Sequence, residues 1–218
     1  MTKKEKIQQL ICEQRLLPLY YHDSTEVSAD VLKTLYNAGI KAVEYTNRGP
    51  KAFGNFRCLR KLVDNDMPGM QLGIGTIKSI TDAEQFISAG ADFIVCPMVN
   101  IEVAQLVHNT ELFWIPGCMT PTEIYIAETN GATLVKIFPG SVLGPSYISA
   151  LKEVFPHLLF MPTGGVELDK ENLQAWFSAG VCAVGMGSKL ISKIYLNNKE
   201  YIKIESLTKN VLRTLQSF

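Results

Sequence analysis

Four phrases of similar build punctuate the chain: "NAGIKAVEY", "SAGADFIVC", "TNGATLVKI" and "SAGVCAVGM". Each sets a glycine just before an apolar run. A glycine there suits the left-handed residue that closes a helix, so every phrase reads as helix, stop, strand. Between the phrases the period changes. "AEQFISAG" and "KENLQAWFSAG" carry apolar residues three and four apart, Leu173, Trp176 and Phe177 among them, whereas the runs after each glycine are short and β-branched. Strand and helix therefore alternate, which restricts the chain to α/β architectures with parallel strands.

Strand-like segments fall at 16–21, 41–46, 71–76, 93–97, 112–117, 134–139, 157–164 and 182–187. Eight strands, each spaced by about one helix, favour a closed (β/α)8 TIM barrel over an open doubly wound sheet. An extra amphipathic helix is expected before the first strand, in "KEKIQQLICEQ", and a terminal helix from about 199 to 217. No linker or low-complexity tract interrupts the series, so one domain over residues 1–218 is expected.

Composition narrows the function. With 47% hydrophobic residues the chain can bury one good core. Its 21 Lys and Arg balance 21 Asp and Glu, so no overall field draws nucleic acid or an anionic membrane, and an anion has to be caught locally. The five cysteines (12, 58, 96, 118 and 182) form no C-x-x-C pair, which fits a reducing, cytoplasmic setting. The start, "MTKKEKIQQL", does not read as a signal peptide. His22, His108 and His157 are scattered, so no metal triad is expected.

The barrel gives positions meaning. Side chains two apart on a strand share a face, so Leu134, Lys136 and Phe138 point into the interior, as do Ala42, Glu44 and Thr46. The plain reading of Lys136 and Glu44 is an internal ion pair, though such pairs add little net stability. A functional reading explains more: apolar surroundings favour a lysine's neutral amine, which attacks a carbonyl carbon to form a Schiff base, and a carboxylate supplies the acid and base. Arg48 in "YTNRG" and Thr76 in "GIGT" would match a carboxylate, as a 2-oxo acid presents. "PTGGV" and "GMGSKL" end the last two strands with glycine-rich turns where a phosphate commonly lies, with Ser188 adding a hydroxyl.

In this order, "VEYTNRG", "GIGT", "IPGCMTPTE", "VKIFPG", "PTGGV" and "GMGS" resemble the KDPG aldolase and 4-hydroxy-2-oxoglutarate aldolase family across nearly the whole chain. The resemblance implies a class I, cofactor-free and metal-independent aldolase, commonly a homotrimer, acting on a small 2-oxo acid. It assigns Lys136 as Schiff-base lysine, Glu44 as general acid/base, and Arg48 and Thr76 as holders of the pyruvate carboxylate. Phe138 would pack on the imine, Thr163 would line the site, and Pro97 and Pro116 would close strand ends around it. Gly164, Gly165, Gly187 and Ser188 would form the phosphate cradle.

The implied substrate is 2-dehydro-3-deoxy-6-phosphogluconate. The alternatives are 4-hydroxy-2-oxoglutarate, 2-dehydro-3-deoxy-6-phosphogalactonate, or sugar-phosphate isomerisation or epimerisation on the same barrel. The chain departs from the family pattern at Tyr45, Asn47 and Gly49, at Gly140 and Ser141, at Cys96 and Met98, and at Tyr21 and His22, where a basic side chain is usual. These positions bear on substrate choice.

Overall fold

Each helix-stop glycine takes a left-handed backbone: φ is 102° at Gly39, 91° at Gly90, 86° at Gly131 and 98° at Gly180 in the computed structural model, which describes residues 1–218. The chain opens with α1 (Lys3–Gln14), β1 (Leu16–Tyr20), α2 (Thr25–Asn37), β2 (Ala42–Thr46), α3 (Ala52–Asp66) and β3 (Gln71–Gly75). It continues through α4 (Ile80–Ser88), β4 (Phe93–Val95), α5 (Ile101–Asn109), β5 (Phe113–Ile115), β6 (Gly117–Cys118) and α6 (Pro121–Thr129). It ends with β7 (Leu134–Ile137), α7 (Gly140–Val154), β8 (Leu159–Pro162), α8 (Lys170–Ser178), β9 (Val184–Met186), α9 (Lys193–Asn197) and α10 (Tyr201–Leu215).

The helix starts are written locally. Thr2 and Thr120 form capping boxes with Glu5 and Glu123, and the side chains of Ser24, Ser79, Asn100, Asp169 and Ser192 accept from the first-turn N–H groups. Pro121 sits at the first turn of α6, where no N–H is needed. No helix is long and apolar enough to cross a membrane.

All paired strands run parallel. One curled sheet has the order β5-β4-β3-β2-β1-β9 and another β6-β7-β8. The strand expected at 112–117 is interrupted at Pro116, which has no N–H for a ladder bond, so it appears as β5 and β6. Its carbonyl still accepts from Lys136 N at 2.8 Å. Thr163 bridges to Gly185, linking the end of β8 to β9.

Alternate residues divide between two apolar layers. Outward side chains such as Val43, Ile74, Val135 and Phe160 join the helices in a core of 52 buried residues. Inward ones, including Leu17, Ala42, Phe93, Phe113, Leu134 and Met161, form a second cluster with Ile7 and Ile11. The helix α1 therefore covers the amino-terminal end of the strands and leaves the carboxyl-terminal end open.

This inner layer is fitted by size: a Cβ on Gly73 would overlap the Phe93 ring. Gly73→Ala is expected to cost about 1–3 kcal/mol by overpacking, lowering the melting temperature by roughly 2–10 °C. Gly54, on α3 with nothing within 4 Å of an added Cβ, is the control. Gly54→Ala should raise stability by about 0.5–1 kcal/mol. Thermal and urea unfolding of the two variants checks both signs.

Candidate active site

Glu44 stands in the middle of β2 and Lys136 in β7, each facing inward because its strand neighbours Val43, Tyr45, Val135 and Ile137 point out to the helices. The two meet across the interior, Lys136 Nζ lying 3.5 Å from Glu44 Oε1 with side chains 5% and 1% exposed. Room for the carboxylate comes from β3. A Cβ on Gly75 would overlap Glu44 Oε1 and sit 2.7 Å from Glu44 Cγ. The second carboxylate oxygen, Oε2, is buried with no hydrogen-bond partner in the protein. An ammonium with a single long contact and a half-satisfied carboxylate are groups left free to act on a third party.

Around this pair the other residues singled out by sequence take their places. The Phe138 ring is 36% exposed, its centroid 5.6 Å from Lys136 Nζ, and it forms a wall on the open side. Arg48 and Thr76 meet as expected, with Arg48 Nε donating to Thr76 Oγ1 at 3.4 Å. Thr76 directly follows the Gly75 that holds the Glu44 carboxylate, and its φ is 62°. Positive φ at a β-branched residue is a strained conformation of the kind that clusters at ligand sites. Pro97 and Pro116 mark adjoining strand ends, since a Cβ on Gly117 would lie 2.5 Å from the Pro97 carbonyl carbon.

The glycine-rich turns divide. Gly187 and Ser188 line a cleft of about 330 Å³ together with Leu19, Tyr20, Tyr21, Arg48, Ile191, Lys193 and Leu196. Gly164 and Gly165 have φ of 83° and 74° and lie instead against Gly140 and Ser141: an added Cβ on Gly165 would be 2.7 Å from Ser141 N. Thr163 sits between the two turns with its hydroxyl over Gly185, buried and without a partner. A second hollow, of about 250 Å³, lies between α1 and β5 beside His108 and Trp114, away from Lys136 and Glu44.

Sequence reasoning passed over two contributors. Gly75 was visible in "GIGT", but its task of admitting a carboxylate from the neighbouring strand is a packing fact. Tyr21 was noted only as a departure, yet it lines the cleft next to Arg48. Burial pushes the Cys96 thiol up to about 12, and Cys118 likewise, so both act as apolar filling. No group of three or more His, Cys, Asp or Glu side chains is arranged to hold a metal ion.

The chain matches the family model described as KDPG and KHG aldolase over residues 7–207. It is 34% identical over 155 residues to the 2-dehydro-3-deoxy-6-phosphogalactonate aldolase of Escherichia coli K12, covering 71% of this chain and 73% of that one. A solved 4-hydroxy-2-oxoglutarate/2-dehydro-3-deoxyphosphogluconate aldolase from TTHB1 is 32% identical and superposes with a TM-score of 0.82, covering 95% and 97% of the two chains. The KDPG aldolase of Legionella pneumophila shares the fold, with a TM-score of 0.85 at 24% identity over 93% and 96% of the chains. With the match running from α1 into α10 and taking in both sides of the buried pair, the chain belongs to the KDPG and KHG aldolase family and is an aldolase.

Proposed function

We propose that this aldolase works through a Schiff base on Lys136 and cleaves 2-dehydro-3-deoxy-6-phosphogluconate to pyruvate and glyceraldehyde 3-phosphate. The observation that carries the reading is the buried pairing of Lys136 Nζ with Glu44 Oε1 at 3.5 Å, at the open end of the strands. The related enzyme from Legionella pneumophila was solved with pyruvate captured as a covalent carbinolamine, which is the same chemistry.

The sequence of steps follows from the groups. The Lys136 amine adds to the C2 ketone, and loss of water leaves a cationic imine that accepts the electrons of the C3–C4 bond. Glu44 takes the C4 hydroxyl proton as that bond breaks and the aldehyde departs. Glu44 then returns the proton to C3 of the enamine, and hydrolysis frees pyruvate and the amine. Arg48 and Thr76 hold the carboxylate by a charge-assisted contact and a hydroxyl. Phe138 shields the imine; Pro97, Pro116 and Thr163 shape the chamber. Gly187 and Ser188 from the cleft, and Gly164 and Gly165 from the turn packed beside Gly140 and Ser141, offer backbone N–H groups and a hydroxyl to the phosphate from two sides.

The same reading includes the architecture. The two sheets form one closed (β/α)8 barrel, with β5 and β6 as a single interrupted strand and the Thr163–Gly185 bridge as the other join. Residues 1–218 form one domain, plugged by α1. Exposed Ile80, Met98, Ile101 and Met119, on the turns entering α4, α5 and α6, suit a homotrimer contact. Five free cysteines suit the cytoplasm. The similarity to the Escherichia coli phosphogalactonate enzyme favours that epimer as a second substrate.

Borohydride reduction with pyruvate should leave a mass adduct on Lys136. Lys136→Arg keeps the charge but cannot form an imine, so adduct and turnover should both vanish; retained pyruvate release would mean cleavage without an imine on Lys136. Glu44→Gln should lower kcat by about 10²–10⁴-fold. Gly75→Ala, whose Cβ would displace the Glu44 carboxylate, should lose turnover to a similar degree while circular dichroism stays native. Pyruvate release from the phosphogluconate, the phosphogalactonate and 4-hydroxy-2-oxoglutarate ranks the substrates, and the non-phosphorylated acid should be the poorest.

A further inference from the structure

The turn that carries Arg48 is held from the next strand by Tyr21. The ring of Tyr21 lies over Gly49, where a Cβ would sit 2.6 Å from Tyr21 Cζ and 2.8 Å from Cε1. Gly49 is not among the glycines with positive φ, so the ring above it, not its backbone, excludes a side chain. Tyr21 Oη donates to the Asp23 carboxylate. One phenol is thereby fixed within the turn after β1 and packs on the turn after β2 at Gly49, immediately beyond Arg48.

The turn after β1 is anchored in its own right. The His22 carbonyl accepts from Tyr45 Oη at 3.0 Å and from Asn55 Nδ2 at 2.9 Å, and Asn55 Nδ2 also reaches the Asp23 carbonyl at 3.1 Å. Tyr45 and Asn55 are buried, and the Tyr45 and Tyr21 rings are 5.8 Å apart. Tyr21 is thus fixed from below and presses on the Arg48 turn from the side. Arg48 is exposed, and its own hydrogen bond to Thr76 is long, so the reach of its guanidinium depends on where that turn sits.

We propose that Tyr21 is a positioning residue for Arg48: stacked on Gly49 and held through Asp23, it sets the turn from which the guanidinium meets the substrate carboxylate. The inference rests on the carboxylate role given to Arg48 above. It also joins three departures from the family pattern, Tyr21, Tyr45 and Gly49, into one unit.

The test uses Tyr21→Phe, Tyr21→Ala, Gly49→Ala and the Tyr21→Ala/Gly49→Ala double variant. The readouts are the pyruvate concentration for half-maximal borohydride trapping on Lys136, KM and kcat, and the melting temperature. Tyr21→Phe keeps the ring but loses the hydroxyl's contacts, so half-saturating pyruvate and KM should rise about 3- to 10-fold while kcat stays within about twofold. Gly49→Ala should weaken pyruvate and lower the melting temperature, and the double variant should do so by less than the sum of the singles. Unchanged pyruvate saturation and KM in both Tyr21 variants, or strictly additive effects with Gly49→Ala, would overturn the proposal. If the wild type traps pyruvate and the Tyr21 variants bind it unchanged, the Schiff-base reading survives alone. A wild type that never traps pyruvate removes that reading and this one with it.

Discussion

The interior of this protein accommodates one ammonium and one carboxylate among side chains such as Phe93, Phe113 and Met161 that exclude water. Removing both charges from solvent costs several kcal/mol per ion, and a single contact at 3.5 Å with Glu44 Oε2 unpaired is poor compensation. The rest of the inner layer is arranged so that this placement can exist. Gly73 and Gly75 remove two side chains from β3 so that Phe93 can fill the space below and the Glu44 carboxylate the space above. Ile7 and Ile11 close the layer from underneath. The interior is therefore graded along the strands, dry at the α1 end and polar at the open end.

That grading divides labour between strands and turns. In the proposed mechanism the groups that make or break bonds come from strand interiors, where ladder hydrogen bonds such as Lys136 N to the Pro116 carbonyl at 2.8 Å fix the backbone. Those proposed to hold the substrate's ends come from the first residues beyond the strands. Asn47 N donates to the Gly75 carbonyl at 2.8 Å, so the turns bearing Arg48 and Thr76 start from a shared anchor. The strained backbone of Thr76 is sustained by that anchor and by the Glu44 side chain packed on Gly75.

Much of this was legible in the sequence because it is local. A left-handed glycine after a helix and a two-residue alternation each act within a few positions, and they located the eight strand-bearing segments and turned Glu44 and Lys136 inward. What was not legible depends on contacts between distant residues. Lys136 and Glu44 are 92 positions apart; their pairing was read from two opposite charges in one apolar interior, but its long, half-satisfied geometry was not. Gly75 read only as the last glycine of a strand segment, though it is a vacancy for a neighbour's carboxylate. The interruption at Pro116 follows from proline's missing N–H, a local rule outweighed in the reading by the apolar run around it. Tyr21 and Gly49 looked like separate departures until the ring was seen lying on the glycine.

Substrate choice then has a defined location. The three candidate acids share a C1 carboxylate, a C2 ketone and a C4 hydroxyl, which are the groups that Arg48, Lys136 and Glu44 are assigned to meet. They differ in configuration at C4 or in what lies beyond it, so the buried pair cannot by itself tell their tails apart. On the proposed mechanism, discrimination falls to surfaces beyond the pair, among them Thr163 and the cleft lined by Tyr21, Ser188 and Lys193. Lys189 pairs with Glu167 at 2.9 Å, whereas Lys193 is among the residues lining the cleft. On the proposed mechanism one imine chemistry can therefore serve several substrates, because Lys136 and Arg48 read the ketone and carboxylate they all share, while the C4 configuration met by Glu44 and the tail beyond it vary.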